Sequence, residues 1–183
     1  MLTLNVAEQE FYDADKNTFF QSKPVKAQLE HSLISMSKWE ALWCKPFLPV
    51  KNKEKGIETH EQELSYIRCM IIGRVDPHMP SVLYRDHGQE IRDYIAAPNT
   101  ATTIYNADVP GRASRAVITT EVIYYWMVRF NIPNEYERWH INRLLTLVNI
   151  CNIKEKEASG KNKMTPADAA RHQYLANKAR GGG

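Results

Sequence analysis

The chain has 183 residues, 43% of them hydrophobic and 25% charged, with a formal net charge of +3. That length buries roughly two thirds of the surface an unfolded chain exposes, enough for one domain with a real core, and the composition excludes wholesale disorder. Three separated cysteines, Cys44, Cys69 and Cys151, form no C-x-x-C pair, so neither a disulfide framework nor a zinc knuckle is predicted and a reducing cytoplasm is expected.

The first residues lack the charged and apolar regions of a signal peptide, and no apolar run reaches the roughly 20 residues of a spanning helix. Leu2, Leu4 and Val6 alternate with polar neighbours. Phe11 and Tyr12 precede a polar turn from Asp13 to Asn17, and Phe19 and Phe20 follow it. The pattern predicts antiparallel strands joined by a hairpin, with a further strand over 24–31 and a sheet of three or four strands.

Ser37 and Glu40 have the spacing of a capping box ahead of Trp39, Leu42 and Trp43, and Pro46 stops the helix they would open. After a charged linker over 51–56, Thr59 and Gln62 cap a second helix carrying Leu64, Ile67, Met70 and Ile71, which Gly73 is expected to end. Two prolines and the Asp86-His87-Gly88 step predict an irregular connection over 76–87. Ile91, Tyr94 and Ile95 then mark a short helix that stops before Pro98. The stretches 100–105 and 116–119 are β-branched enough for strands flanking a loop over 106–111.

From Thr120 a helix carries Val122, Ile123, Trp126, Met127 and Phe130 on one broad face, which Tyr124 and Tyr125 widen, so burial on two sides is expected. After the Asn131-Ile132-Pro133-Asn134 turn, Asn134 and Glu137 have capping-box spacing. The helix they would open, with Tyr136, Trp139, Ile141, Leu144, Leu145, Val148 and Cys151, should pack antiparallel on its predecessor. Residues 154–163 are a charged linker. Thr165, Pro166 and Asp168 start a last, alanine-rich helix over 164–180, with a free glycine run, Gly181 to Gly183, behind it.

The expected fold class is therefore α+β: a small N-terminal antiparallel sheet (1–33), a mainly helical body (34–153) and a C-terminal basic helix. From Asn152 onward there are seven Lys or Arg against three Asp or Glu, leaving 17 against 18 in the rest. Lys154, Lys156, Lys161, Lys163, Arg171, Lys178 and Arg180 are the candidate phosphate contacts in the alternative that the tail binds nucleic acid, but a net of +4 is modest and a solvated helix is the preferred reading.

Sites of chemistry are sparse. His140 with Glu137 has the look of an oriented general base, but no nucleophile accompanies it and a structural histidine is the simpler account. His60, His78 and His87 lack metal-ligand spacing, no clustered glycines form a phosphate loop, and no G-x-S-x-G is present. No catalytic, cofactor or metal residue is assigned, and an enzyme is not expected.

The collinear blocks LEHSLISMSKWEALWCKPF, ELSYIRCMII, TATTI, EVIYYWMVRFNIP and EYERWHINRLLTLVNICNIK cover most of residues 29–154. They resemble a tailed-phage protein family of the siphophage tail module, usually labelled tail assembly chaperone. Such proteins coat the helical tape measure protein while the tail tube polymerises around it, and then leave. The resemblance implies a protein partner taken reversibly through apolar surface, in the cytoplasm of an infected bacterium. Trp39, Trp43, Tyr124, Tyr125 and Trp126 are the candidate contact residues. It also implies that a frameshifted longer form can accompany the protein, for which the terminal glycines are a candidate slippage site, a plain flexible end being the alternative. A virion structural protein, a small nucleic-acid binder and a host-directed inhibitor are the alternatives.

Overall fold

Leu4 and Val6 on one strand and Ala27 and Leu29 on another are buried while their neighbours are exposed, the period-two pattern of a sheet with one face on the core. The computed structural model describes residues 1–13, 17–48, 56–74, 76–102 and 117–158. Strand β1 (Leu2–Val6) pairs antiparallel with β4 (Val25–Leu29), and β2 (Gln9–Asp13) with β3 (Thr18–Ser22). Both pairs keep one register, Leu2 opposite Leu29 and Gln9 opposite Ser22. They are two halves of a single long hairpin, interrupted at Ala7–Glu8 opposite Lys23–Pro24, where the proline fixes its own φ and restricts Lys23. The predicted sheet of three or four strands is thus two two-stranded sheets. Asn17 closes the hairpin in the left-handed conformation at φ 50, a region asparagine tolerates.

Helix α1 (Leu33–Trp43) starts at Ser32, whose hydroxyl accepts the Ser35 amide at 3.3 Å. The predicted start at Ser37 is corrected: Leu33, Met36 and Trp39 form the buried stripe, so the helix is capped five residues earlier. Cys44 ends α1 at φ 50, ahead of Pro46. In α2 (His60–Met70) the expected capping box is present, with Gln62 N–H donating to Thr59 Oγ1 and Thr59 N–H to Gln62 Oε1. Gly73, at φ 91, lies beyond the helix end. The helix stops at Met70 because Ile71 bridges to Leu29, with Glu30 N–H donating to the Met70 carbonyl (2.9 Å) and Ile72 N–H to that of Gln28 (2.8 Å).

Helix α3 (Met79–Ala96) occupies most of the stretch expected to be irregular. Pro80 sits in its first turn, where a missing N–H costs nothing, and the Asp86-His87-Gly88 step is a kink at His87 (φ −129, ψ 15) rather than a break. The expected strand over 100–105 is absent at Thr100–Thr102 and otherwise lies outside the described residues. That over 116–119 is likewise not a strand at 117–119.

Helix α4 (Thr120–Arg129) begins where expected and ends in a Schellman motif, with Ile132 N–H donating to the Met127 carbonyl (2.8 Å), Asn131 N–H to that of Val128 (3.1 Å), and Asn131 at φ 51. Asn134 and Glu137 form no capping box. Residues Asn134–Arg138 make a 3-10 helix without a side-chain cap, Trp139 is extended, and α5 (Ile141–Ala158) starts only after His140 has bridged to Ser32. The predicted α4–α5 hairpin is not formed, since α4 and the 3-10 helix both lie on α1. The chain divides into two compact units at Val148/Asn149, within α5, and that helix continues through Ala158, so the first five residues of the expected linker are helical. The predicted C-terminal helix lies outside the described residues.

Glu40 shows how the helices are held. Its buried carboxylate accepts three hydrogen bonds: from Phe47 N–H (2.7 Å), Thr120 N–H (2.8 Å) and the Thr120 hydroxyl (2.5 Å). Thr119 makes no side-chain cap, so a carboxylate from another helix serves the first amide of α4, where negative charge also suits the helix dipole. Glu40→Ala would strand these buried donors. We expect a loss of about 3 kcal/mol or more in urea unfolding, and a loss below about 1 kcal/mol would disprove the role.

Candidate functional site

Two regions bear on function: the aromatic side chains expected to bind a partner, and a buried polar cluster beside a cleft. Trp39 belongs to the first by sequence and to the core by structure. It is fully buried, its indole N–H donates to the Gln62 carbonyl at 3.0 Å, and its ring meets Phe47 edge-on at 5.4 Å. Trp43 is half-buried and donates to Ser65 Oγ at 2.9 Å. These two tryptophans fasten α1 to α2, so they are removed from the candidate surface.

On α4, Tyr124 is half-buried and donates its hydroxyl to Glu137 Oε2 at 3.0 Å. Burial, and then the Glu137 carboxylate, push this phenol up to about 12. Trp126 is half-buried. Tyr125 points outward at 60% exposure. Val128, three residues on and on the same side of the helix, is 78% exposed; a lone valine beside a run of aromatics carries no sequence signal that separates it from the core. Helix α4 is buried on one side only, through Thr120, Ile123 and Met127.

Leu42 on α1 is a further exposed apolar group, at 67%. Tyr136 stacks on Trp139 at 4.0 Å, and the Arg143 guanidinium lies 3.8 Å from the Trp139 ring centre, so Arg143 makes a cation–π contact.

The polar cluster consists of His31, Tyr66, Tyr94 and His140. Nδ1 of His31 and the Tyr66 hydroxyl are 2.5 Å apart, and the His31 and His140 rings meet edge-to-face at 4.9 Å. A carbonyl can only accept, so the 2.9 Å contact between His140 Nε2 and the Tyr94 oxygen puts the proton on Nε2. An amide can only donate, so the Asn142 N–H at 3.3 Å finds Nδ1 bare. His140 is therefore neutral. Burial, aided by His140, pulls His31 down to about 3, while burial lowers His140 against the opposing pull of the Tyr94 carbonyl. Tyr66 is raised well above its ordinary value by burial. Glu137, the expected orienting carboxylate for His140, is engaged by Tyr124, and His140 acts structurally in this cluster.

Tyr66 also lines a cleft of about 430 Å³ between α2, α3 and the 56–59 segment. Phe47, Ile57, Ile67, Ile91 and Ile95 supply apolar lining, and Glu58, His60, Glu63 and Arg92 supply both signs of charge. Gly56 backs onto Phe47 so closely that any Cβ would overlap the Phe47 carbonyl oxygen. No local sequence signal marks this cleft, because its lining residues come from separated elements. His60 meets the Tyr84 ring at 4.6 Å, His78 stacks on Phe11 at 4.8 Å, and His87 contacts Glu90 at 2.8 Å. Among the described residues no group of three His, Cys, Asp or Glu side chains is placed to hold a metal ion, and no helix is long and apolar enough to cross a membrane.

Of the seven basic residues proposed as phosphate contacts, Lys154 pairs with Glu157 at 2.9 Å and Lys156 lies in the last turn of α5. Lys161, Lys163, Arg171, Lys178 and Arg180 lie outside the described residues. No protein-family model, curated protein or solved structure matches the chain.

The neutral histidines make stability depend on pH. Both folded values lie below the unfolded value near 6.5, so the contribution is full above that pH and is lost as pH falls, for His31 down to about 3, with a slope of up to about 1.4 kcal/mol per pH unit from His31 and a smaller, solvent-screened one from His140. The urea midpoint should drop between pH 7 and pH 4, and His31→Gln should flatten the drop. An unchanged pH profile in that variant would refute the assignment.

Proposed function

We propose that this chain is a tail assembly chaperone of a tailed phage, a non-enzymatic protein that transiently holds helical segments of the tape measure protein in the infected bacterial cytoplasm. The observation that carries this reading is the outward pair Tyr125 and Val128 on α4, within the block EVIYYWMVRFNIP on which the family resemblance rests. A helix exposing an apolar stripe would bury these two side chains by laying that stripe along α4. Full burial of two such groups is worth about 3 to 6 kcal/mol, no more than the cost of association itself, so the pair anchors a wider contact and leaves the hold weak enough to be released. Tyr124, half-buried, is tied to Glu137, and Trp126 is half-buried on the same helix.

Coexpression with the tape measure protein of the same phage tests the assignment. The intact chain should raise the soluble yield of that protein, and Tyr125→Glu with Val128→Glu should abolish the gain while leaving the unfolding midpoint of the chaperone within about 1 kcal/mol, as expected of surface changes. Equal solubility with and without the chain would refute the reading, as would stoichiometric copies of the chain in purified particles.

A further inference from the structure

Among the described residues, strand β1 is hydrogen-bonded on one side only. In β4, Gln28 and Glu30 direct their backbone groups at Ile72 and Met70, so Val25, Ala27 and Leu29, which alternate with them, direct theirs at β1. The residues opposite, Val6, Leu4 and Leu2, therefore bond inward. Thr3 and Asn5 then aim their N–H and C=O groups away from β4, and although α3 packs against β1, no described residue hydrogen-bonds to those groups. Both residues are exposed. An open edge of this kind is a template for another strand, and proteins ordinarily blunt it with charge or proline. β1 reads Leu-Thr-Leu-Asn-Val and has neither.

We propose that β1 is a dimerisation edge: two copies of this chain pair antiparallel through β1 about a two-fold axis at Leu4, joining two β1–β4 ribbons into one four-stranded sheet. The sequence of the strand selects a second copy as occupant. A two-fold axis sets each residue against its mirror position, so Thr3 faces the partner's Asn5 and exchanges both backbone bonds with it, twice over by symmetry. An uncharged strand meets itself without like-charge repulsion. On the core face Leu4 abuts its own copy, and Leu2, half-buried at the end of the row where Leu4 and Val6 are fully covered, gains cover from the partner's Val6. This pairing is independent of the face on α4.

Analytical ultracentrifugation of the full chain over a concentration series, with hydrogen exchange at each concentration, tests the edge. The sedimenting mass should rise to twice 21.1 kDa, and the Thr3 and Asn5 amides should gain protection in step with it. Asn5→Pro removes an outward N–H and leaves the β1–β4 bonds intact, as an edge proline can, so it should return the mass to one chain with an unchanged far-UV spectrum. Should that variant lose its fold, the pair Thr3→Lys and Asn5→Lys, which sets lysine against lysine across the axis, should give the same single-chain mass. The proposal is overturned by a wild-type mass of one chain throughout, by open-ended aggregation, or by a folded edge variant that keeps the doubled mass. Protection of Thr3 and Asn5 that arises only when the tape measure protein is added would overturn it as well, in favour of an extended segment of that protein.

Discussion

Residues 28–32 are bonded from several directions, and the rest of the domain is arranged around that fact. Gln28 and Glu30 take the end of α2, Leu29 pairs with Leu2, the His31 carbonyl accepts the Ile141 amide that opens α5 (2.9 Å), and Ser32 caps α1 while bridging to His140. A five-residue stretch thus connects the hairpin with three helices. Because every backbone group withdrawn from water must find a partner, this geometry dictates where α2 stops and where α5 begins.

The same junction explains why the fold tolerates two histidines in its interior. His31 and His140 sit where the backbone bridges bring chain segments together, and their ring nitrogens supply hydrogen bonds that no aliphatic side chain could offer Tyr66, the Tyr94 carbonyl or the Asn142 amide. Neutral imidazole is the species that fits, since one nitrogen must accept while the other donates. Stability is thereby coupled to proton concentration through a cluster whose role is architectural, and the adjoining cleft inherits Tyr66 as a wall that is locked in place from behind.

Local signals were legible where no distant partner competed with them. The Thr59–Gln62 box, the β2–β3 strands and the stop before Pro98 are satisfied by near neighbours, and each stands where the pattern predicts it; α4 also begins at Thr120 as the pattern predicts, although its first amide is served by Glu40 from another helix. Ser37 with Glu40 and Asn134 with Glu137 have the same spacing and form no box, because their carboxylates are claimed from afar by Thr120 and Tyr124. The tryptophans mislead for a related reason: an indole carries a large apolar face and one donor, and both Trp39 and Trp43 spend that donor on α2. Composition cannot distinguish an aromatic that holds a fold from one that meets a partner. Exposure separates the aromatics: Trp39 and Trp43 are tied to α2, while Tyr125, with Val128, faces outward.

That exposed pair gains meaning from how α4 is fixed. Glu40 holds its first amide, the Schellman motif with Asn131 closes its last carbonyls, and Ile123 and Met127 seat it against the core. Both ends of a helix of only ten residues are therefore satisfied without help from any ligand, although an isolated helix of that length would be marginal in water. Tyr125 and Val128 are presented on a scaffold already ordered, so a partner helix meeting them need not fold α4 as it binds. The ordering cost falls on the partner alone. A small preformed face can then bind quickly and still let go, because the limited apolar area caps the strength of the hold while the rigid backbone keeps the association rate from suffering.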